Sequence, residues 1–311
     1  MEARMTRTPA RSIRGVNAAA VTARRPGDPG IDLAATFELI DFLSASGVQA
    51  IALLGTTGEF LHFDLRERTR LVELAVKRSR VPVVAAVGHS TLDGALLLGR
   101  EAACAGASAL VVMPPYFFRY QQDDIKEFYL RFAAGIKGAA PVFLYNIPFF
   151  TSEISPETAV ELLATGLFAG IKDSSGCWET FLRLRAAREE KPFTLLVGND
   201  VIFARARAAG ADGVISGVAG ALPELMVALD RAIVAGDAPQ RERLDARLQE
   251  FISWVDRLPA PIGVREAAAL RGLKVGPPAV PPGPEGQRLL AAFRDWFKEW
   301  LPEVQKECKD A

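Results

Sequence analysis

Histidine is nearly missing from this sequence. His62 and His89 are the whole supply, and neither falls in an H-x-x-x-H pattern, so a histidine-built metal site is not expected. Cysteine is scarce as well. Cys104, Cys177 and Cys308 make an odd number without C-x-x-C spacing, which excludes a disulfide framework or a zinc ribbon and suits the cytoplasm. No run of about 18 uncharged apolar residues occurs, so no membrane span is expected. Charge of one sign is also lacking: 37 Lys and Arg balance 37 Asp and Glu, and no bulk basic field would draw the chain to nucleic acid. The opening stretch MEARMTRTPARSIRG has arginines but no apolar core of a signal peptide, and residues 1–12 are expected to be a disordered tail.

What is present is a large apolar fraction, 50% of 311 residues, enough for a sizeable core. It is distributed as short β-rich runs: VQAIALL (48–54), VPVVAAV (81–87), ASALVVM (107–113), APVFLY (140–145), GLFAGI (166–171), FTLLV (193–197) and DGVIS (212–216), with a weaker first one in IRGVNAAAV (13–21). These runs do not alternate polar with apolar, which is how strands buried on both faces of a parallel sheet read. Helical patterns with recognisable starts lie between them. Asp64 stands three residues before Glu67 as in a capping box, Ser155 precedes a Pro at the first helical position, and Gly47, Gly106, Gly166 and Gly210 sit where helices should stop.

Eight such units predict an α/β fold, a (β/α)8 TIM barrel over residues 13–220. The rival, an open doubly wound sheet, lacks its G-x-G-x-x-G after the first strand. Beyond about 221 the chain reads as helices, PELMVALDRAIVAG, PQRERLDARLQEFISWV, GVREAAALRGL and QRLLAAFRDWFKEWL, with GPPAVPPGPEG (276–286) as a loop. The expectation is a C-terminal helical extension over 221–311.

Barrel enzymes carry their sites at the C-terminal ends of the strands. Those ends hold Thr22, the Gly55-Thr56-Thr57-Gly58-Glu59 turn, His89, Pro115-Tyr116-Phe117, Tyr145-Asn146, Lys172-Asp173, Gly198-Asn199-Asp200 and Ser216. Of nine lysines against 28 arginines, Lys172 alone closes an apolar strand run directly. A lysine desolvated there releases its proton more readily, and the free amine can attack a ketone to form a Schiff base. Position alone leaves open a plain strand-end pair with Asp173. The GTTGE turn could cradle a carboxylate with its backbone N–H groups and two hydroxyls, or be a Gly-rich turn capped by Thr; it is too short for a P-loop. Tyr145, on the neighbouring strand, could relay a proton, or be a buried phenol bonded to a carbonyl.

These residues together resemble the dihydrodipicolinate synthase/N-acetylneuraminate lyase family of Schiff-base, class I aldolases. The resemblance rests on GTTGE (55–59), YNIP (145–148) and GIKDSSG (170–176) in that order, with AVGHST (86–91) and PAPIGVREAAALRGL (259–273) in support, and it runs from about residue 12 to the end. It implies Lys172 as the Schiff-base lysine, Tyr145 as proton relay, and Thr56 and Thr57 as carboxylate binders with Thr56 in the relay. It implies that the strand of Ser216 lies beside the bound keto acid, that Tyr116 aligns with the first of two adjacent tyrosines in the family, and that the enzyme is a homotetramer, a dimer of dimers, without metal or organic cofactor; the strand-end residues Gly55 and Asn199 are expected, with Tyr116, to bind substrate. Its substrates would be a 2-keto acid such as pyruvate and an aldehyde.

Two positions depart from the synthase pattern. Phe117 stands where those enzymes have a second Tyr that reaches the neighbouring subunit's site, and Tyr120 has the wrong spacing to replace it. Phe150 stands where they have an Arg that binds the carboxylate of aspartate semialdehyde. A phenyl ring can replace neither a proton carrier nor a carboxylate clamp. Three specificities therefore remain open: 4-hydroxy-tetrahydrodipicolinate synthesis, a 2-keto-3-deoxy sugar acid aldolase, or an enzyme for apolar or aromatic aldehydes, suggested by Phe117, Phe149 and Phe150. A non-catalytic keto acid-binding protein on the same barrel is the reading from another class.

Overall fold

A computed structural model describes residues 13–309. The expected tail at 1–12 lies outside the described residues. All eight apolar runs become strands: β1 Gly15–Ala19, β2 Ala50–Leu53, β3 Val83–Ala86, β4 Ala109–Val112, β5 Val142–Asn146, β6 Gly170–Asp173, β7 Thr194–Val197 and β8 Gly213–Ser216. Each pairs in parallel with the next, and β1 pairs with β8 through Gly15–Gly213 to Ala18–Ser216, so the sheet closes. The unbroken apolarity of the runs has this cause: Thr194 aside, every strand residue is buried. A closed ring leaves no sheet edge, and the doubly wound alternative is ruled out.

The helices form the outer layer: α1 Leu33–Ala45, α2 Leu65–Arg78, α3 Leu92–Ala105, α4 Gln122–Ile136, α5 Pro156–Ala164, α6 Trp178–Ala187, α7 Phe203–Ala208 and α8 Pro223–Ala235. In α2 the Asp64–Glu67 box is formed in both directions, and in α5 Ser155 caps the Thr158 N–H. Gly106 closes α3 at φ 91° with its N–H on two carbonyls of the last turn. α4 shows how a helix is tied to the sheet. Its buried Ile125, Phe128, Tyr129, Phe132 and Ile136 repeat at helical spacing, each large one contributing about 1.5–3 kcal/mol of burial. The Tyr129 hydroxyl donates to the carbonyl of Val112, the last residue of β4, at 2.9 Å.

The chain after 220 differs in detail from the expected extension. α8 is the helix of the eighth β/α unit and packs on β1, so a boundary at 220 would part β8 from its own helix. The helices beyond the barrel are α9 Ala238–Val255, α10 Ile262–Leu270 and α11 Pro284–Lys309. The Pro/Gly loop ends three residues early because Pro284, whose ring blocks a helix interior, is compatible with a first turn. α9 and α11 are held by a cluster of Phe251, Trp254, Phe293, Trp296, Phe297 and Trp300, with Phe251 stacked on Trp300 at 5.9 Å. The Trp300 indole N–H donates to Glu250 at 2.7 Å, which satisfies its one polar group. The end of α9 and the start of α10 pass over the C-terminal mouth of the barrel, where they help to wall the site.

Candidate active site

β5 and β6 run in register, so Tyr145 lies opposite Lys172 and Asn146 opposite Asp173. Side chains alternate along a strand, and the two pairs separate accordingly. Lys172 and Tyr145 line a cavity of about 610 Å³ at the barrel mouth. The Lys172 Nζ stands 4.0 Å from the centre of the Tyr145 ring. The Tyr145 hydroxyl is 3.3 Å from Thr56 Oγ1, a hydrogen bond that either group can donate. Lysine, phenol and threonine hydroxyl thus form one contiguous row, with the lysine 6% exposed and the tyrosine 2%.

Asp173 is not the lysine's partner. Its carboxylate accepts from Asn146 Nδ2 at 2.8 Å, Ser175 Oγ at 2.8 Å and the Ser175 N–H at 3.3 Å. Burial pushes this carboxyl up, against those three hydrogen bonds. Asn146 Oδ1 accepts the Ile154 N–H at 3.0 Å, so Asn146 and Asp173 together brace the loops after β5 and β6. Lys172 is left without an ion pair among the described residues.

Thr57, Asn199 and Phe150 also line the cavity. No hydrogen bond within the described residues engages the Thr56 or Thr57 N–H, so both are free for an anion, as a cradle requires. Asn199 turns its Oδ1 to the Val201 N–H at 3.1 Å. Gly55 and Ser216 do not reach the wall. Gly55 only starts the turn, and Ser216 is fully buried with Oγ accepting the Ala219 N–H at 2.9 Å, while its neighbours Ile215 and Gly217 face the cavity. Tyr116 and Phe117 line an adjoining cavity of about 360 Å³ that shares Thr56 and Phe150 with the first. Phe117 has φ 83° and is 87% exposed, and its loop is pinned to the loop after β5 by Arg119 on the Thr151 carbonyl and the Tyr120 N–H on Ser152 Oγ. His89 and Thr22 lie outside both cavities: His89 Nδ1 is taken by Thr91, and the Thr22 carbonyl by Arg265.

Sequence reading named some of the residues that shape this site without giving them a role, and missed others. Gly198 is one: a Cβ there would lie 2.7 Å from Lys172 Cε and 2.0 Å from Ser174 Oγ, so only glycine leaves the lysine its place. Asp200 is another. Its Oδ2 accepts the Val218 N–H at 3.1 Å, its buried Oδ1 has no hydrogen-bond partner among the described residues, and burial raises its carboxyl against help from Ser216, Val218 and the charge of Lys172. Both lie in the strand-end stretch GND, which was the available signal. The wall residues Ile252, Val255, Asp256 and Val264 come from α9 and α10, and nothing local in the sequence marks them.

A closed eight-stranded barrel with these groups at its mouth defines the protein as a carbon–carbon lyase of the Schiff-base aldolase class. The comparisons narrow this further. Residues 12–294 match the model of the Dihydrodipicolinate synthetase family, and the chain belongs to that family. It is 31% identical over 257 residues to a 4-hydroxy-tetrahydrodipicolinate synthase of Methanothrix thermoacetophila, covering 82% of this chain and 86% of that one. An uncharacterised DapA-like lyase of Halobacterium salinarum is 33% identical, over 80% and 82% of the two chains. Among solved structures, YagE, a prophage protein of the dihydrodipicolinic acid synthase family from E. coli K12 in complex with pyruvate, superposes with TM-score 0.84 at 26% identity, covering 92% of this chain and 98% of that one.

Proposed function

We propose that Lys172 is the Schiff-base lysine of a pyruvate-dependent aldolase. The observation that carries this is the row Lys172–Tyr145–Thr56: a buried amine without an ion pair among the described residues, against a phenol hydrogen-bonded to a hydroxyl. The pyruvate complex of YagE supports the keto acid, as do the two free N–H groups of Thr56 and Thr57 for its carboxylate. In the reaction, the neutral amine adds to the keto carbon and the carbinolamine loses water to give the iminium. A proton leaves the methyl carbon and the enamine forms. Its electron pair bonds to the aldehyde carbon, the aldehyde oxygen takes a proton, and water releases the 4-hydroxy-2-oxo acid and the lysine. Tyr145 is the group that moves protons to and from the carbinolamine oxygen, with Thr56 passing them on. Such positioned proton transfer contributes about 100- to 10,000-fold.

Borohydride reduction in the presence of pyruvate tests the reading. A mass adduct on Lys172 is expected, absent in Lys172→Ala, with Tyr145→Phe forming it much more slowly. No adduct on Lys172 would overturn the assignment. Catalysis rather than mere keto acid binding is favoured because amine, phenol and hydroxyl are all retained in contact. The name 4-hydroxy-tetrahydrodipicolinate synthase, borne by several relatives, is the second reading, and Phe117 and Phe150 count against it. We further propose a homotetramer, supported by the exposed Phe117, Phe118 and Leu61 beside the second cavity, and a cytoplasmic setting, supported by three free cysteines.

A further inference from the structure

The charge on the wall of the main cavity is lopsided. Lys172 is the one cation among the described lining residues, and in the chemistry above it is consumed by the keto acid. The other charged groups there are two carboxylates, Asp200 and Asp256. Asp256, just past the end of α9, is exposed and makes no ion pair among the described residues, and the adjacent Arg257 lies face-on to Trp254, 4.9 Å from the ring centre. Among the described residues the adjoining cavity adds, beside the Tyr116 phenol, just two titratable groups, Glu59, which is bound to Arg265, and His62, which leans on Glu59. An aldehyde bearing a carboxylate would therefore meet no guanidinium or ammonium on this wall, and two carboxyl groups instead.

The rest of the wall is apolar. Phe149, Phe150 and Val201 leave 68%, 56% and 47% of their surface exposed at the mouth, and Ile252, Val255 and Val264 face the same space from α9 and α10. Single exposed apolar side chains need no explanation, but a contiguous set around a reactive cavity is a binding surface. We infer that, granted the Schiff-base chemistry above, the aldehyde partner is uncharged with an aryl or alkyl body seated between these two apolar groups, and that the cavity selects against a carboxylate. The bond formed joins the enamine carbon to the aldehyde carbon. The carbonyl π pair becomes the hydroxyl of the product, and the water lost on iminium formation is regained on hydrolysis, so no oxidant or further reactant is needed.

Matched substrates test this. The protein is given pyruvate with benzaldehyde or 4-carboxybenzaldehyde, and with butanal or succinic semialdehyde, and the 4-hydroxy-2-oxo acids are quantified by mass spectrometry. In each pair kcat/KM is expected to favour the uncharged aldehyde by at least about tenfold. Phe150→Arg, at an exposed position, is expected to narrow or invert both ratios while circular dichroism stays unchanged. Equal or better turnover of the carboxylated aldehydes by the parent protein would overturn the inference. So would failure of both uncharged aldehydes in a protein that still traps pyruvate on Lys172, which leaves the Schiff-base reading standing. Absence of the pyruvate adduct would overturn that reading, and the inference with it.

Discussion

Gly198 shows how much of a reactive lysine's position depends on a residue with no side chain. The Lys172 stem passes over its Cα, and a methyl group there would meet Cε at 2.7 Å and Ser174 Oγ at 2.0 Å. Gly198→Ala is therefore expected to displace the amine from Tyr145. The measurement is a pair: trapping of pyruvate and kcat should fall by about 100-fold or more, while the melting temperature changes little. Unchanged trapping would show that the lysine has another way to lie. Asp200, on the same stretch, supplies a pH dependence. Its carboxyl is raised in the folded state by burial, above its unfolded value. A raised carboxyl holds its proton longer when folded, so its contribution to stability is present at low pH and is lost as pH rises through the folded value. Asp200→Asn keeps an oxygen for the Val218 N–H and has no proton to lose. Its melting temperature relative to the parent should become more favourable from about pH 4 to about pH 8, and a constant difference would refute the burial account. At this scale the sequence was legible where chemistry is rare: one strand-end lysine among nine, and one tyrosine beside it. It was illegible where the role is spatial, because Gly198 matters for what crosses it, and Ser216 sits at a strand end yet turns its hydroxyl to the Ala219 N–H.

Among the elements, α10 is a clamp. Arg265, 3% exposed, donates to Glu59 at 2.6 Å, to the Thr22 carbonyl at 2.9 Å and to the Val275 carbonyl at 2.6 Å. It thereby joins the end of β1, the turn after β2 and the strap that follows α10. Glu59, with φ 51° and buried, ends the GTTGE turn as an anchor for this pair and leaves the cradle itself to Thr56 and Thr57. Two stretches that looked separate in the sequence, GTTGE and PAPIGVREAAALRGL, meet at one ion pair 206 residues apart. Arg265→Ala leaves Glu59 buried without its partner, and denaturant unfolding should show a loss of about 3–5 kcal/mol. Arg265→Met with Glu59→Gln should lose less than the single change, because no bare charge remains. A single-variant loss under about 1 kcal/mol would mean that Glu59 finds water instead. The strands were legible because burial on both faces removes all alternation, and the early helices because capping is local. The eighth unit was not, since α8 differs in no local way from the helices after it and only its packing on β1 assigns it to the barrel.

At the scale of the whole molecule, the aromatic surface beside the second cavity is the feature a single chain leaves unexplained. Phe117 and Phe118 meet edge to face at 5.1 Å and are 87% and 65% exposed, and Leu61 lines the same cavity as Phe117. Phe117 holds φ 83°, a conformation costing a bulky residue about 1–3 kcal/mol, and the loop is pinned before it by the Tyr116–Thr151 bridge and after it by Arg119 and Tyr120 rather than left to relax. Backbone held in this way, presenting two phenyl rings outward, suits burial against a second copy of the chain, where the apolar gain offsets the strain. The proposed homotetramer gives this surface its partner. Light scattering should return a mass near four times the 33.6 kDa chain. Phe118→Asp places a charge against Phe117 in the exposed aromatic pair without touching Lys172, Tyr145 or Thr56. It should lower the mass to that of a dimer or monomer with an unchanged circular dichroism spectrum, because burying an unpaired carboxylate costs more than one phenyl contact returns. A parent protein that is monomeric at micromolar concentration would refute the tetramer. A tetramer that survives Phe118→Asp would move the interface elsewhere and leave the patch to the substrate channel, where the same aromatic surface would extend the apolar wall that Phe150 begins.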